Sequence, residues 1–509
     1  MKILFHIVLI CFFINTSLPA RCASIIAVCK NPFRRPYNCN KSDIAFPTFI
    51  AQGNVMKYRI DRGSIGEINE SDAKIIADDI LKLWEDNSGL DFQPDGDGFI
   101  AEDVTETNSD KYFDNQKQLG YSPVIWDEQG SLIENLYGKN SKENILGLAT
   151  ATFFSFDKEG PDGILEAHSL FNGYLFDGAN TGENREKVLN AFKTTILHEF
   201  GHMFGLDHTQ GGNNEGYNKY ASGEIDTDKL TDIPVMFPII ANPLVELQQD
   251  DISAVRLGYP KGDENALFGK ITGKLKQIDS GIKGANVVAF LVDDSNPRKR
   301  AVACPSDVDG AGEGNFTLPN LVPGTYIIKA EALNDGFVGG SGVGIHNPII
   351  SELMQARFYM GEGVKALESD DLETGLNQAL KINVEAGSTT NINFDLSLAS
   401  FKIKRPGLEY STRLRKFKKR IITFTIRNYY PGQIRRLRIS TDHPDLIEIL
   451  PSNEFSFSKK FHTVKVRLNS YTDFKAKFPE LEYEPISIPI TIEDLNTGYI
   501  LNSERFWLL

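Results

Sequence analysis

Val188, Phe192, Ile196, Phe200 and Phe204 recur every four residues, the spacing of one face of an α-helix. Ala191, Thr195, His198 and His202 fall on the neighbouring face, so a polar face borders the buried one. A second helical stripe runs through Ala73, Ile76, Ala77, Ile80, Leu83 and Trp84, with Asn69 or Ser71 placed to cap it. Residues 55–61 alternate and predict a strand. Residues 124–126 predict another, followed by a turn at 127–130. The apolar, β-rich stretch 145–154 suits a buried strand, and 160–168 reads as a loop entering a strand. This segment is expected to lie at a sheet edge above the long helix, where an extended peptide can add a strand. Residues 209–232 are polar, rich in Gly and Asn, and predict a loop. Gln248 opens a last helix that Gly258 and Pro260 stop.

Beyond residue 266 the helical stripes fade. Residues 268–273, 284–289, 314–318, 321–326 and 391–396 carry strand signals, interrupted by an insertion at about 334–383. A third block, 400–509, alternates at 422–426, 464–468 and 486–490 and predicts an immunoglobulin-like sandwich.

The chain has 509 residues, enough for two to four domains, with an ordinary soluble composition of 41% hydrophobic and 24% charged residues. A net charge of −14 argues against general nucleic-acid binding. The first 23 residues read as a secretory signal: Lys2, a short apolar core from Ile3 to Ile14, then small residues with Ala20 or Ala23 as cleavage points. That core is too short to span a membrane, and no other segment approaches one. An extracellular location follows as an expectation. Of the five cysteines, Cys11 leaves with the signal, and Cys29 and Cys39 are spaced to close a small loop. The fate of Cys22 and Cys304 depends on the cleavage point.

Three of the eight histidines lie in residues 198–208, which read H-E-x-x-H-x-x-G-x-x-H. On a helix His198 and His202 stack on one face and can grip one ion. Gly205 can end the helix in a left-handed turn, and His208 then arrives as a third nitrogen ligand. Three protein ligands with one open position is the catalytic zinc arrangement. Glu199 is too close to His198 to bind the same ion easily and is placed to take a proton from a zinc-activated water.

Other candidates carry less. Asp95, Asp97, Glu102 and Asp103 are candidate calcium ligands, but the D-x-D-x-D-G loop is incomplete and an ordinary solvated turn competes. His168 is a candidate for a second zinc, set against a plain rim residue. Between Lys402 and Arg438 there are thirteen Lys or Arg and one acid, Glu409, which suits either an anionic surface or polysaccharide, or a solvated face.

The extended zinc motif followed by Val235-Met236-Phe237-Pro238 resembles the metzincin peptidases. Thr209 and the run Leu247-Gln248-Gln249-Asp250-Asp251-Ile252 are similar to matrixins, in the manner of their bacterial secreted relatives. The resemblance covers residues 45–260, within a catalytic domain drawn at 24–262. It implies an α+β zinc-peptidase domain in which Met236 lies beneath the metal. Residues 266–398 resemble a carboxypeptidase regulatory-like, transthyretin-like sandwich. The expected chain is therefore multidomain: a metzincin-type α+β domain followed by two all-β sandwiches. Three features depart from the family. No Pro-Arg-Cys-Gly switch segment is present, the H-x-D half of a structural zinc site is missing, and position 238 is Pro where astacins carry Tyr. The expected activity is zinc-dependent hydrolysis of peptide bonds in extracellular proteins. The alternative is a secreted adhesin or binding protein with an inert domain, motivated by the two β modules and the basic stretch.

Overall fold

The computed structural model describes short pieces before residue 53, most of 53–396 apart from 114–117, 155–162, 334–355 and shorter stretches, and chiefly strands between 401 and 508. The chain is multidomain and mixed α/β, with several β-sheets. It forms two compact units: one of residues up to 275 with 280–352 and 356–394, the other mainly 395–509. The expected signal segment, Cys22 and Cys39 lie outside the described residues. No helix among the described residues is long and apolar enough to cross a membrane.

The first unit begins with a five-stranded sheet. Its strands are β1 (Val55–Ile60), β2 (Asp91–Phe99), β3 (Ser122–Asp127), β4 (Gly147–Phe154) and β5 (Ile164–Asn172), in the order β2-β1-β3-β5-β4. The first three pairings of that order are parallel, and β4 alone is antiparallel, on β5. Helix α1 (Glu70–Asn87) links β1 to β2. Asn69 is its N-cap, accepting from the amide of Asp72 at 3.0 Å. Ala73, Ala77, Ile80 and Trp84 are buried as predicted, and Leu81 joins them. Between β3 and β4 lies α2 (Ser131–Tyr137), after Gly130 turns the chain at φ 76°.

Helix α3 (Arg185–Met203) is the centre of the unit. Its predicted stripe is buried, but so is everything else from Thr194 to Met203. The low polarity of a single stripe therefore understates its burial: sheet, α1 and the 235–237 turn each cover a different face. The Trp84 indole N–H donates to Leu197 O at 3.1 Å, and its ring meets Phe204 edge-on at 5.6 Å. Full burial of Phe192, Phe200 and Phe204 contributes roughly 2–3 kcal/mol each. Tyr259, beyond helix α5 (Gln249–Gly258), donates to Phe204 O at 2.6 Å and accepts from the Phe49 amide.

Three expectations change. Residues 91–99 are a strand, not a solvated loop, and Gly96 and Gly98 bend it at positive φ where its register on β1 slips. Within 209–232 the chain forms helix α4 (Asn214–Ala221), started by Asn213, whose side-chain oxygen accepts from Gly216 N at 2.9 Å. Finally, 164–168 lies in β5, an inner strand of the sheet that pairs with β4 along 164–171 and with β3 along 169–172. The sheet edge above α3 belongs to β4 instead.

A two-sheet module follows in the same unit. Strands β6 (Gly269–Gln277), β9 (Asn315–Leu321) and β14 (Thr389–Asp395) form one sheet, joined by Ser280–Gly281. The other holds β7 (Ala285–Leu291), β8 (Val302–Pro305), β10 (Gly324–Ala332), β11 (Arg357–Phe358), β12 (Leu367–Glu368) and β13 (Ile382–Val384). The expected insertion contributes β11, β12 and the start of β13 to that sheet, and adds helix α6 (Leu372–Gln378). Cys304 is a buried free thiol in β8. The second unit carries two four-stranded antiparallel sheets, whose strands include 421–428, 461–468 and 486–494. Side chains over most of the basic stretch lie outside the described residues; Arg438 pairs with Glu454 at 2.7 Å.

Candidate metal centre

Helix α3 places His198 and His202 one turn apart, both buried. The helix stops at Met203. Gly205 takes φ 82°, its amide donates to His202 O at 3.0 Å, and Leu206 N returns to Gly201 O at 3.0 Å. The reversal carries His208 back to the other two imidazoles.

The three Nε2 atoms form a near-equilateral triangle with sides of 3.2, 3.2 and 3.3 Å. Nitrogens bound at about 2.0–2.1 Å to one tetrahedral ion sit about 3.3 Å apart. The Nδ1 atoms explain why the Nε2 lone pairs face inward. His198 Nδ1 lies 2.6 Å from Val235 O and His202 Nδ1 2.8 Å from Leu206 O. A carbonyl only accepts, so both Nδ1 atoms carry the proton and both Nε2 atoms are left as ligands. Burial, helped by the neighbouring imidazoles, pushes His198 down to about 3 and His208 to about 2, and burial lowers His202. All three are neutral at pH 7, the form a metal needs. Among the described residues this is the one cluster of three or more His, Cys, Asp or Glu able to hold an ion. The donors fit zinc: three imidazoles and an open position.

Glu199 is buried, and burial pushes its carboxyl up to about 8 against a hydrogen bond from the Ala149 amide. A Cβ at Gly147 would sit 3.1 Å from Glu199 Cγ, so glycine there lets β4 pass close over the acid. A divalent cation on the imidazoles would favour the carboxylate and bring that value down. In the metal-free protein the folded state holds the Glu199 proton more tightly than the unfolded chain, so its contribution is intact below about pH 4.5 and is lost as pH rises through about 8. Metal-free Glu199→Gln should therefore melt several degrees above the parent at pH 8 and about level with it at pH 4.5. A thermal-unfolding series with chelator checks the difference.

Met236 is fully buried, with its sulfur against Gly201 of α3. Its turn is held by Asp251, whose carboxylate accepts from the amides of Val235 and Met236 at 3.0 Å each and of Gln248 at 2.9 Å. Val235 O in turn receives His198 Nδ1–H, so Asp251 reaches His198 through one peptide. Gly201 is required here, since a Cβ on it would run into the Met236 sulfur. Gly201→Ala should cost about 1–3 kcal/mol by overpacking, read as a lower denaturant midpoint at unchanged slope.

The weaker candidates do not join the site. His168 is buried in β5, edge-on to Phe113 at 6.2 Å, and burial lowers it to about 4; it is a core histidine rather than a rim residue. The four acidic candidates do not gather around a common point. Asp95 and Asp97 pair with Arg59 and Arg62, and Glu102 with Lys111 and Tyr112. Pro238 lies outside the described residues. Sequence reasoning missed the work of Gly147, Ala149 and Asp251. For Asp251 the available signal was an acid at the third position after Gln248, the capping-box spacing.

No family model matches the chain, and no curated protein matches it. Among solved structures it has a likeness to the full-length major pilin SpaD of Corynebacterium diphtheriae, at 11% identity and TM-score 0.20, covering 47% of this chain and 64% of the pilin. It has another to fervidolysin of Fervidobacterium pennivorans, a keratinolytic enzyme related to subtilisin, at 13% identity and TM-score 0.17, covering 50% and 35%. The chain thus spans less than two thirds of either structure, and likenesses of this size carry no argument about fold or chemistry.

Proposed function

We propose that the chain is a zinc-dependent endopeptidase of metzincin type, matrixin-like, exported by its N-terminal signal and followed by two β-sandwich modules. The observation that carries the reading is the Nε2 triangle of His198, His202 and His208 beside the buried Glu199. Zinc, when bound, supplies the positive charge that acidifies water and polarises a carbonyl.

The chain's own residues do the rest. Glu199 accepts the proton of the attacking water and passes it to the leaving amine. Its burial beneath β4 keeps bulk water from competing for that proton. Strand β4 offers a sheet edge on which an extended peptide adds as a strand, running past Glu199. Met236 packs beneath the ligands and does not react.

Purified protein loaded with zinc should cleave a casein-like substrate, and a chelator should stop it. Absence of any cleavage by zinc-loaded protein would overturn the reading and leave a binding protein with an inert domain.

A further inference from the structure

His198 and His202 stand on a rigid helix, but His208 stands on a loop. Something must hold that loop to a few tenths of an ångström, because the third ligand completes the triangle. The contacts that follow His208 lead out of the α/β part of the unit into the two-sheet module.

Thr209 N donates to Met236 O at 2.9 Å, and Thr209 Oγ1 donates to Asp250 Oδ2. The other oxygen of the same buried carboxylate accepts from Ala303 N, in β8 of the module, at 2.7 Å. Gly211 N closes on Thr209 Oγ1 at 3.0 Å. Arg298, on the loop before β8, then grips the next residues. Its guanidinium donates to Gly212 O at 3.3 Å, Asn213 Oδ1 at 2.8 Å and Glu215 Oε2 at 3.0 Å. Two neighbours of Arg298 extend the grip. Asn296 donates to Asp232, on the approach to the Met236 turn, at 2.9 Å, and Lys299 O accepts from Gln249 N at 3.1 Å.

One module loop therefore touches the chain just after His208, the chain just before Met236 and the start of α5. We infer that the two-sheet module is a brace for the metal site, with Arg298 as a positioning residue for His208. A planar guanidinium with several fixed donors suits this task, since it fixes direction as well as distance. Among its described residues the module supplies no ligand to the histidine group, but it orients one. The inference rests on the metal reading of the three histidines and not on peptidase activity.

The test uses the full chain with Arg298→Ala, Arg298→Lys and the control Ser253→Ala. Ser253 Oγ donates to Pro319 O at 2.9 Å across the same junction but touches nothing near His208. Zinc affinity is read by competition with a chromophoric chelator, and amide hydrogen exchange at Thr209 and Gly211 is read in the metal-free state. Groups that hydrogen-bond a metal-ligating histidine directly are worth about 10–100-fold in metal affinity, and a residue that acts through the following chain falls at the low end. Arg298→Ala should weaken zinc binding by about tenfold and raise exchange at both amides; Arg298→Lys should fall between it and the parent; Ser253→Ala should change neither. Equal zinc affinity in Arg298→Ala and Ser253→Ala overturns the brace. If the parent itself binds no zinc, the metal reading fails separately, and unchanged exchange in Arg298→Ala still overturns the brace.

Discussion

Glu199→Ala is expected to lower peptide hydrolysis by at least about 10³-fold while zinc content stays at one ion per chain. The size follows from what general acid–base groups contribute, roughly 10²–10⁴-fold, with the upper half expected because the proposed mechanism gives Glu199 both proton transfers. Structure should survive the change. Glu199 meets β4 through the Ala149 amide, and the three ligand nitrogens are oriented by Val235 O, Leu206 O and the reversal at Gly205 rather than by Glu199. Truncation also removes a carboxyl that burial holds up at about 8, so the metal-free variant should not be less stable at pH 8 than the parent. Kinetics on a peptide substrate with metal analysis of the same sample decide it. Activity within tenfold of the parent, at full zinc content, would remove Glu199 from the mechanism.

Loss of the metal should have the second large effect. Chelation, or His202→Ala, should abolish hydrolysis and lower thermal stability together. The stability arm is mass action: an ion held at a thousandfold above its dissociation constant stabilises the folded state by about 4 kcal/mol. His202 is a suitable residue to change, because it is buried on the helix and its Nε2 is one corner of the triangle. Re-addition of zinc should restore the chelated parent and not the variant. The pH arm follows from the same burial. His198 and His208 are held far below an ordinary imidazole, so they contribute stability above about pH 6.5 and lose it as pH falls toward their folded values. Metal-free protein should therefore weaken progressively below pH 6.5, with up to three protons taken up on unfolding. A melting series that showed no zinc-dependent shift would sink the metal centre itself.

How far each part of the site was legible depends on the range of the interaction that makes it. The i, i+4 spacing of His198 and His202, the left-handed glycine at 205 and the return of His208 all lie within eleven residues. Local backbone geometry settles them, so periodicity and spacing were enough, and the buried stripe from Val188 to Phe204 came out as read. Strand 91–99 escaped because its Asp-Gly-Asp-Gly run has turn composition. It extends because Asp95 and Asp97 find Arg59 and Arg62, and because β1 offers a ladder. Helix 214–221 escaped for a similar reason: a Gly- and Asn-rich approach looks like a loop until Asn213 caps it.

Which strand forms the sheet edge could not be read from composition, since the apolar run at 145–154 suits a buried strand and yet supplies the margin of the sheet. Strand pairing alone decides it, by putting β5 between two partners and β4 at the margin. Asp251 meets Val235 sixteen residues away, and Asp250 meets Ala303 fifty-three residues away. No local period records such partners, because a hydrogen bond between distant segments depends on which surfaces pack together. The chain thus carries its candidate metal ligands in one short stretch of code. The burial that keeps them neutral, the acid beneath β4 and the module that steadies His208 exist only once distant surfaces have met.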